Sequence, residues 1–379
     1  MSPLAWKDEA INTYVRDLIT PVLQSSYAKT KPLLAFLAGS STTGLDKLGD
    51  PSVGAFYGGK AIGIGERQTL NGSKTHVWRY QKGQTDAASN VAAGAATPTS
   101  TLFAEDNVGT IGVNWTSFWC PIKVREDSVL NAQNAGSEAQ ARIQIASVIE
   151  EAVAQGFQRM LEKHQAQLWT GTLTSAQQDH DTQTWVDYIG VQHWCDDGVA
   201  DTDMTHVGGV ARTTHTELKG NVTTGVTTIL LRKCRQARLT TAYGAIRQKY
   251  ASAGNLIITT PTLWEKLANE ADGKNQINSN DIPQFARAGF TNPAIRLDDA
   301  LIVWDHDCPS GEVYVLTPEF WVFEVQRGAN FMIEPWTRKW VTEEGGAFYR
   351  WTTIRAKTRL TCRRPDLQVK LTDVTAGSA

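Results

Sequence analysis

Cysteine is scarce and scattered in this sequence. The five residues Cys120, Cys195, Cys234, Cys308 and Cys362 are an odd number at wide spacings, with no CxxC pair. That usage argues against a disulfide framework or a zinc ribbon and fits a reducing cytoplasm. An excess of one charge is also missing: 37 Lys and Arg stand against 39 Asp and Glu, a net charge of -2. A histone-like or polybasic nucleic-acid binder is excluded, although local patches are not. No long apolar run is present. Stretches such as Leu33 to Gly39 fall far short of the ~20 residues a membrane helix needs, so no membrane partner is expected. Met1-Ser2-Pro3 opens no signal peptide, because no basic start leads into an apolar segment. Catalytic signatures are lacking too. There is no GxxxxGK[ST] loop and no GxSxG elbow, and Gly63-Ile64-Gly65 has neither the third glycine nor the following helix of a dinucleotide site. No enzyme activity and no cofactor are expected.

What is present is a foldable chain with unusual parts. It has 379 residues, 41% of them hydrophobic, enough for two or three domains or one elaborate one. Trp occurs 13 times along the whole length, and large amphipathic rings favour cores and protein interfaces. Residues 4–24 place apolar side chains at helical spacing up to Pro21. Residues 38–59 are rich in Gly, Ser and Thr and read as an extended arm. From Lys60 to Val113 the period shifts to two, as in Thr75-His76-Val77-Trp78-Arg79-Tyr80, while Gln84 to Thr101 has almost no large side chain. This predicts a long two-stranded hairpin with its return strand near 108–120. A hairpin of that length is not stable alone and needs a surface to lie on, its own body or a neighbour.

Ser137 to Trp169 gives the strongest helical signal. Ser137 and Gln140 form a capping box, and Ile145, Ile149, Ala152, Val153, Phe157, Met160, Leu161 and Leu168 make one apolar stripe. Gly156 lies mid-helix, where it would bend the rod or admit a close neighbour. Helices are also predicted over 227–245 and 263–271. Strands are predicted at 255–260, 300–304, 312–316, 321–325 and, longest, 348–362. The class is α+β.

Three groups of residues invite a functional reading. Residues 172–217 carry eight acids, Asp196 and Asp197 among them, against Arg212 alone, a sum of -7. Residues 218–264 carry seven bases and no acid, +7, led by Arg232, Arg235 and Arg238. The two blocks either face each other between subunits, neutralise each other within one chain, or are simply solvated. Arg355, Lys357 and Arg359 share one face of the last strand, with Ile354, Ala356 and Leu360 on the other. That basic strip fits phosphate or an acidic partner, or is a solvated sheet face. His180, His193, Cys195, His206 and His215 match no metal-ligand spacing and read as solvated loop residues, so no metal is expected. Asp305-His306-Asp307 leads into Cys308-Pro309-Ser310-Gly311, which reads as a hairpin turn.

Taken in order, these parts resemble the major capsid proteins of tailed bacteriophages, the Hong Kong 97-fold family. Lys31-Pro32-Leu33-Leu34-Ala35-Phe36-Leu37 is similar to the family's arm, and Val124 to Gly136 to the entry of its spine helix. The stretch from Tyr188-Ile189-Gly190 through Val207-Gly208-Gly209-Val210-Ala211-Arg212 to Gly220-Asn221-Val222 resembles the loop-rich region after that helix. Thr353 to Leu360, followed by Arg364-Pro365, resembles the last strand and tail. The resemblance implies an N-terminal arm over 1–59 and an E-loop hairpin over 60–113. It implies a P-domain with spine helix over 114–178, an A-domain over 179–335, P-domain return strands over 336–364 and a tail over 365–379. It implies hexamers and pentamers that close into an icosahedral head around double-stranded DNA, hence a virion location after assembly in the host cytoplasm. Because the arm begins within the first residues, a fused scaffold is not expected. A separate scaffolding protein and a portal are expected partners, with a decoration protein as a further one. Some members cross-link through a glutamate just before the final Arg-Leu. Here Lys357 and Thr358 precede Arg359-Leu360, so that chemistry is not expected. The alternatives are a cellular nanocompartment shell of the same fold, or an enzyme using the His-rich acidic region.

Overall fold

The computed structural model describes residue 33 and residues 66–69, 75–81, 108–125, 138–173, 189–199, 204–208, 210–212, 214–226, 230–243, 256–272, 295–297, 300–317, 320–326, 332–341 and 347–374. The expected helix over 4–24, the arm over 38–59, the hairpin tip over 84–101 and the Ser137 cap lie outside these residues.

Strands β1 (Glu66–Thr69), β2 (Thr75–Gln81), β3 (Val108–Asn114) and β4 (Thr116–Arg125) come first, followed by helix α1 (Glu138–Thr170). A short helix α2 (Val191–Trp194) and strands β5 (His206–Val207), β6 (Val210–Ala211) and β7 (Asn221–Thr223) follow. Next come helix α3 (Leu230–Tyr243), β8 (Leu256–Thr259), helix α4 (Pro261–Asp272), β9 (Ile295–Leu297), β10 (Ala300–Trp304) and β11 (Val313–Leu316). The chain ends with β12 (Trp321–Gln326), β13 (Met332–Ile333), β14 (Thr337–Val341), β15 (Ala347–Cys362) and β16 (Val369–Leu371). The class is α+β, as expected.

The hairpin forms where the alternation predicts it, with β2 antiparallel to β3 from Thr75↔Asn114 to Gln81↔Val108. The return strand does not run on unbroken. It leaves the ladder at Trp115, and β4 joins another sheet. The base of the hairpin also rests on its own chain: Ile111 and Val113 are buried in the main core, beside the turn at Gly208. Gly208 has φ +56, and a Cβ there would lie 2.4 Å from Ile111 Cγ2.

β15 is the hub of the larger sheet. It pairs along its length with β4, from Tyr349↔Arg125 to Thr358↔Thr116, and on its other side with β12, β13 and β14. β1 adds in parallel to β12. A sixteen-residue strand is possible because its inward positions meet a helix of matching length. Thr352, Ile354, Ala356 and Leu360, with Phe118, Ile122 and Val124 of β4, face the stripe of α1 formed by Ile149, Val153, Phe157, Met160 and Leu161. Gly156 marks the closest approach. A Cβ there would stand 2.7 Å from Ile122 Cγ1, so this glycine admits a neighbour. Gly156→Val is expected to lose ~1–3 kcal/mol by overpacking, more than its gain in helix propensity returns. Urea titration should show the loss, and Ile122→Ala in the same chain should recover part of it.

The smaller sheet has the order β7-β16-β11-β8-β10-β9 and is covered on both faces. Leu256, Ile258, Leu301 and Val303 point into the main core, whereas Ile257, Ile302, Val313 and Val315 pack with Leu230, Leu263 and Leu267 of α3 and α4. Two covered faces explain why β8 reads as a continuous apolar run instead of an alternation. Pro261 opens α4, and Thr260 Oγ1 caps it by accepting from Leu263 N at 3.4 Å. Glu270 caps α3 from its neighbour, taking Leu230 N at 3.0 Å and Leu231 N at 2.8 Å. The 305–311 turn is real, but β10 and β11 lie on opposite sides of β8, so it is a crossover and not the expected hairpin.

The chain passes between the sheets twice at one place, after β11 and after β15. Thr317 Oγ1 donates to Leu367 O at 2.8 Å, and Gln368 Oε1 accepts from Thr317 N at 2.8 Å and Trp321 Nε1 at 3.1 Å. All five cysteines are free. No helix among the described residues is long and apolar enough to cross a membrane.

Candidate assembly surfaces

The outer face of the large sheet follows from strand alternation. Ser117, Trp119, Pro121, Lys123 and Arg125 of β4 are exposed, opposite the buried Thr116, Phe118, Ile122 and Val124. Cross-strand register sets Trp119 beside Arg355 and Lys123 beside Trp351. Arg355 Cζ stands 5.0 Å from the Trp119 ring centre and Lys123 Nζ 5.5 Å from that of Trp351. Met332 pairs with Arg355 from the other side. Trp119, at 58% exposure, with Met332, makes this face both apolar and cationic.

The basic strip of Arg355, Lys357 and Arg359 is divided. Arg355 and Lys357 are half-buried on the outer face, and partial burial, then the Arg355 charge, pushes the Lys357 ammonium below its ordinary value. Arg359 is buried, bonded through Nε to the equally buried Glu324 Oε2, with its Cζ 4.0 Å from the Trp115 ring centre. Arg359 is therefore a core ion pair, which corrects the expectation of a three-residue surface strip. β12 pairs with that end of the strand and brings Glu324 into register with Arg359, while Trp115 lies over the guanidinium.

The charge blocks are divided in the same way. Asp196 is fully buried. Its carbonyl accepts from Arg212 Nη1 at 3.2 Å and Gly220 N at 2.8 Å, and its Oδ1 accepts from Asp197 N at 2.8 Å. Burial pushes its carboxyl above the usual range, with Lys370 pulling the other way. Asp196 thus belongs to the interior of its own chain and is not a surface contact. Asp197 is half-buried, and its Oδ1 accepts from Val199 N at 2.8 Å, setting the turn that leaves Val199 exposed. Arg238 donates through Nη1 to Leu297 O at 3.0 Å and so ties α3 to β9. Arg232 and Arg235 are exposed, on the helix face that also carries exposed Leu239.

The histidine-rich stretch is not a set of solvated loop residues either, as far as its described members go; His180 lies outside the described residues. His193 and Cys195 are buried, and His206 and His215 are half-buried. The short helix α2 is pressed against the end of α1, where Gly190 N donates to Gly171 O at 2.8 Å. Arg212 Nη2 binds its His193 carbonyl at 2.5 Å. Among the described residues no group of three or more His, Cys, Asp or Glu could hold a metal.

No protein-family model and no curated protein matches the chain. Among solved structures it is similar to a chain of the cyanophage A-1(L) capsid asymmetric unit, with a TM-score of 0.52 at 14% identity, covering 82% of this chain and 90% of that one. The chain has the Hong Kong 97-type capsid fold. A Mycobacterium phage Bobi structure gives a TM-score of 0.48 at 14% identity over 81% and 88% of the two chains. The holo-SrpI encapsulin complex from Synechococcus elongatus gives 0.39 at 8% identity over 80% and 83%.

In this Hong Kong 97-type chain several residues central to packing and to the surfaces have no sequence signal. Glu324 lies in an apolar strand, and nothing local pairs it with Arg359, 35 residues away. Trp119 alternates like any strand residue, and only the covering of the opposite face by α1 shows that it points outward. Asp305 looked like a turn residue, and its second role comes from segments far away in sequence.

Proposed function

We propose that this chain is the major capsid protein of a tailed bacteriophage. Copies assemble into hexamers and pentamers that close into an icosahedral head around double-stranded DNA, in the virion. The observation that carries this reading is the likeness, over 82% of this chain and 90% of the other, to a capsid chain with a TM-score of 0.52. The long helix on a continuous sheet, the second covered sheet and the projecting hairpin fit a P-domain over 114–178 and 336–364, an A-domain over 179–335 with the tail 365–379, an arm over 1–59 and an E-loop over 60–113. A separate scaffolding protein, a portal and a decoration protein belong to the same reading. The outer sheet face, with Arg355 and Lys357 beside Lys123 and Trp119, is suited to an anionic partner surface.

Electron microscopy of the purified protein tests the assignment. Closed shells or capsomers are expected, and a monodisperse monomer at high concentration would sink it. Shells carrying double-stranded DNA after expression in the host favour the phage head, whereas shells carrying an enzyme cargo favour a nanocompartment.

The charged blocks give a contact between neighbours in this shell. The loop of Asp197 and Val199 on one copy meets the face of α3 that carries Arg232, Arg235 and Leu239 on the next. A single exposed pair is worth only ~0–1 kcal/mol, but each ring repeats it around its axis, and complementary charge fixes orientation. Arg232→Glu with Arg235→Glu is expected to leave the subunit folded and to reduce capsomer yield several-fold at low salt. Asp197→Lys in the same chain should restore part of it. Normal assembly of the double Arg variant at low and high salt would remove this contact from the shell.

A further inference from the structure

Asp305 directly follows β10 of the smaller sheet and is almost fully buried at 1% exposure. Its two oxygens receive four N–H donors from three separate parts of the chain. Oδ1 accepts from Asp307 N at 3.0 Å, within the turn. Oδ2 accepts from Gln165 Nε2 at 2.9 Å and Trp169 Nε1 at 3.3 Å, both on the last turns of α1. Oδ2 also accepts from the backbone N–H of Leu33 at 3.2 Å, across 272 residues of sequence. Leu33 itself is fully buried in the main core.

Gln165 and Trp169 are fully buried, so their donors have no water to return to. Around the carboxylate, Trp169 lies 5.1 Å from Tyr314, whose hydroxyl bonds Glu312 Oε2. Gln192 Nε2 also donates to Glu312, at 3.2 Å. The junction between the end of the long helix and the strand ends of the small sheet thus holds two buried polar clusters, joined by the Trp169–Tyr314 ring contact, with Leu33 as an apolar plug.

We propose that Asp305 is a socket for Leu33, taking its amide only while the end of α1 and the end of β10 stand in their present relation. Leu33 then ties the helix end to the strand end, and a shift of the helix end against the small sheet releases it. The four donors need two acceptor oxygens and a full charge. Asparagine offers one acceptor and no charge, and alanine offers neither. Burial pushes the Asp305 carboxyl above its ordinary range, against the pull of the Asp307 and Leu33 amides.

This inference does not depend on the capsid reading and is tested on the folded full-length subunit. Amide hydrogen exchange reads the Leu33 N–H directly. In the unaltered chain that amide should exchange at least ~100-fold more slowly than an open amide, as a buried charge-assisted bond requires. Asp305→Asn should speed it by about tenfold and Asp305→Ala by more, with Ile257 and Ile302 amides still protected as proof of fold. Leu33→Ala, a change outside both sheets, should also speed exchange at position 33. Fast exchange at Leu33 in the unaltered chain overturns the socket, whether or not the Asp305 variants fold. So does unchanged exchange at Leu33 in a folded Asp305→Asn or Asp305→Ala subunit.

Discussion

Arg359→Met is expected to cost ~3–5 kcal/mol in urea denaturation, a large share of the ~5–15 kcal/mol that holds a domain folded. The substitution leaves the Glu324 carboxylate, at 1% exposure, inside the sheet without its guanidinium. It also removes the cation 4.0 Å from the centre of the Trp115 ring, at the point where the hairpin leaves the body. The double change Arg359→Met with Glu324→Leu should recover most of the loss, because the desolvation cost disappears with both charges. A loss below ~1 kcal/mol in the single variant would mean that water reaches the pair.

The second large effect is in acid. His164 on α1 is fully buried, edge-on to Phe118 at 4.8 Å, with Nε2 3.3 Å from Thr358 Oγ1. Burial alone lowers its pKa from the ordinary value of about 6.5 to about 3. The unfolded chain therefore takes up a proton that the folded chain refuses. The stabilising effect is complete above pH ~6.5 and declines by ~1.4 kcal/mol per pH unit below it, until the folded form itself protonates. Between pH 7 and 4 this one side chain should account for ~3 kcal/mol of lost stability. His164→Gln should flatten the acid limb by that amount relative to the unaltered chain, measured as urea midpoints across the range. Identical slopes in the two proteins would show that His164 is protonated inside the fold.

Much of the architecture could be read along the chain. The α1 stripe was legible because 3.6-residue spacing over 33 residues has few competing explanations. β15 was legible from sustained alternation, and Pro261 marked the start of α4. The differences from the sequence pattern share one cause. Arg359, Asp196 and His193 are polar and sit in segments whose pattern reads as exposed, yet all three are buried. Whether a polar side chain meets water depends on which distant strand or helix covers it, and alternation along one strand names two faces without saying which is covered.

The sequence by itself determined the class, the long helix, the hairpin ladder, the long last strand and the absence of a recognised catalytic motif, since all of these are set by local periodicity and residue type. Only the tertiary structure decided which charges are interior. It placed β12 against β15, so Glu324 meets Arg359. It closed the small sheet on both faces, and it brought Leu33, Gln165 and Trp169 to one carboxylate. Those pairings join residues tens to hundreds of positions apart, and no local pattern encodes them, because their free energy comes from burial that exists only once both sheets and the long helix have packed together.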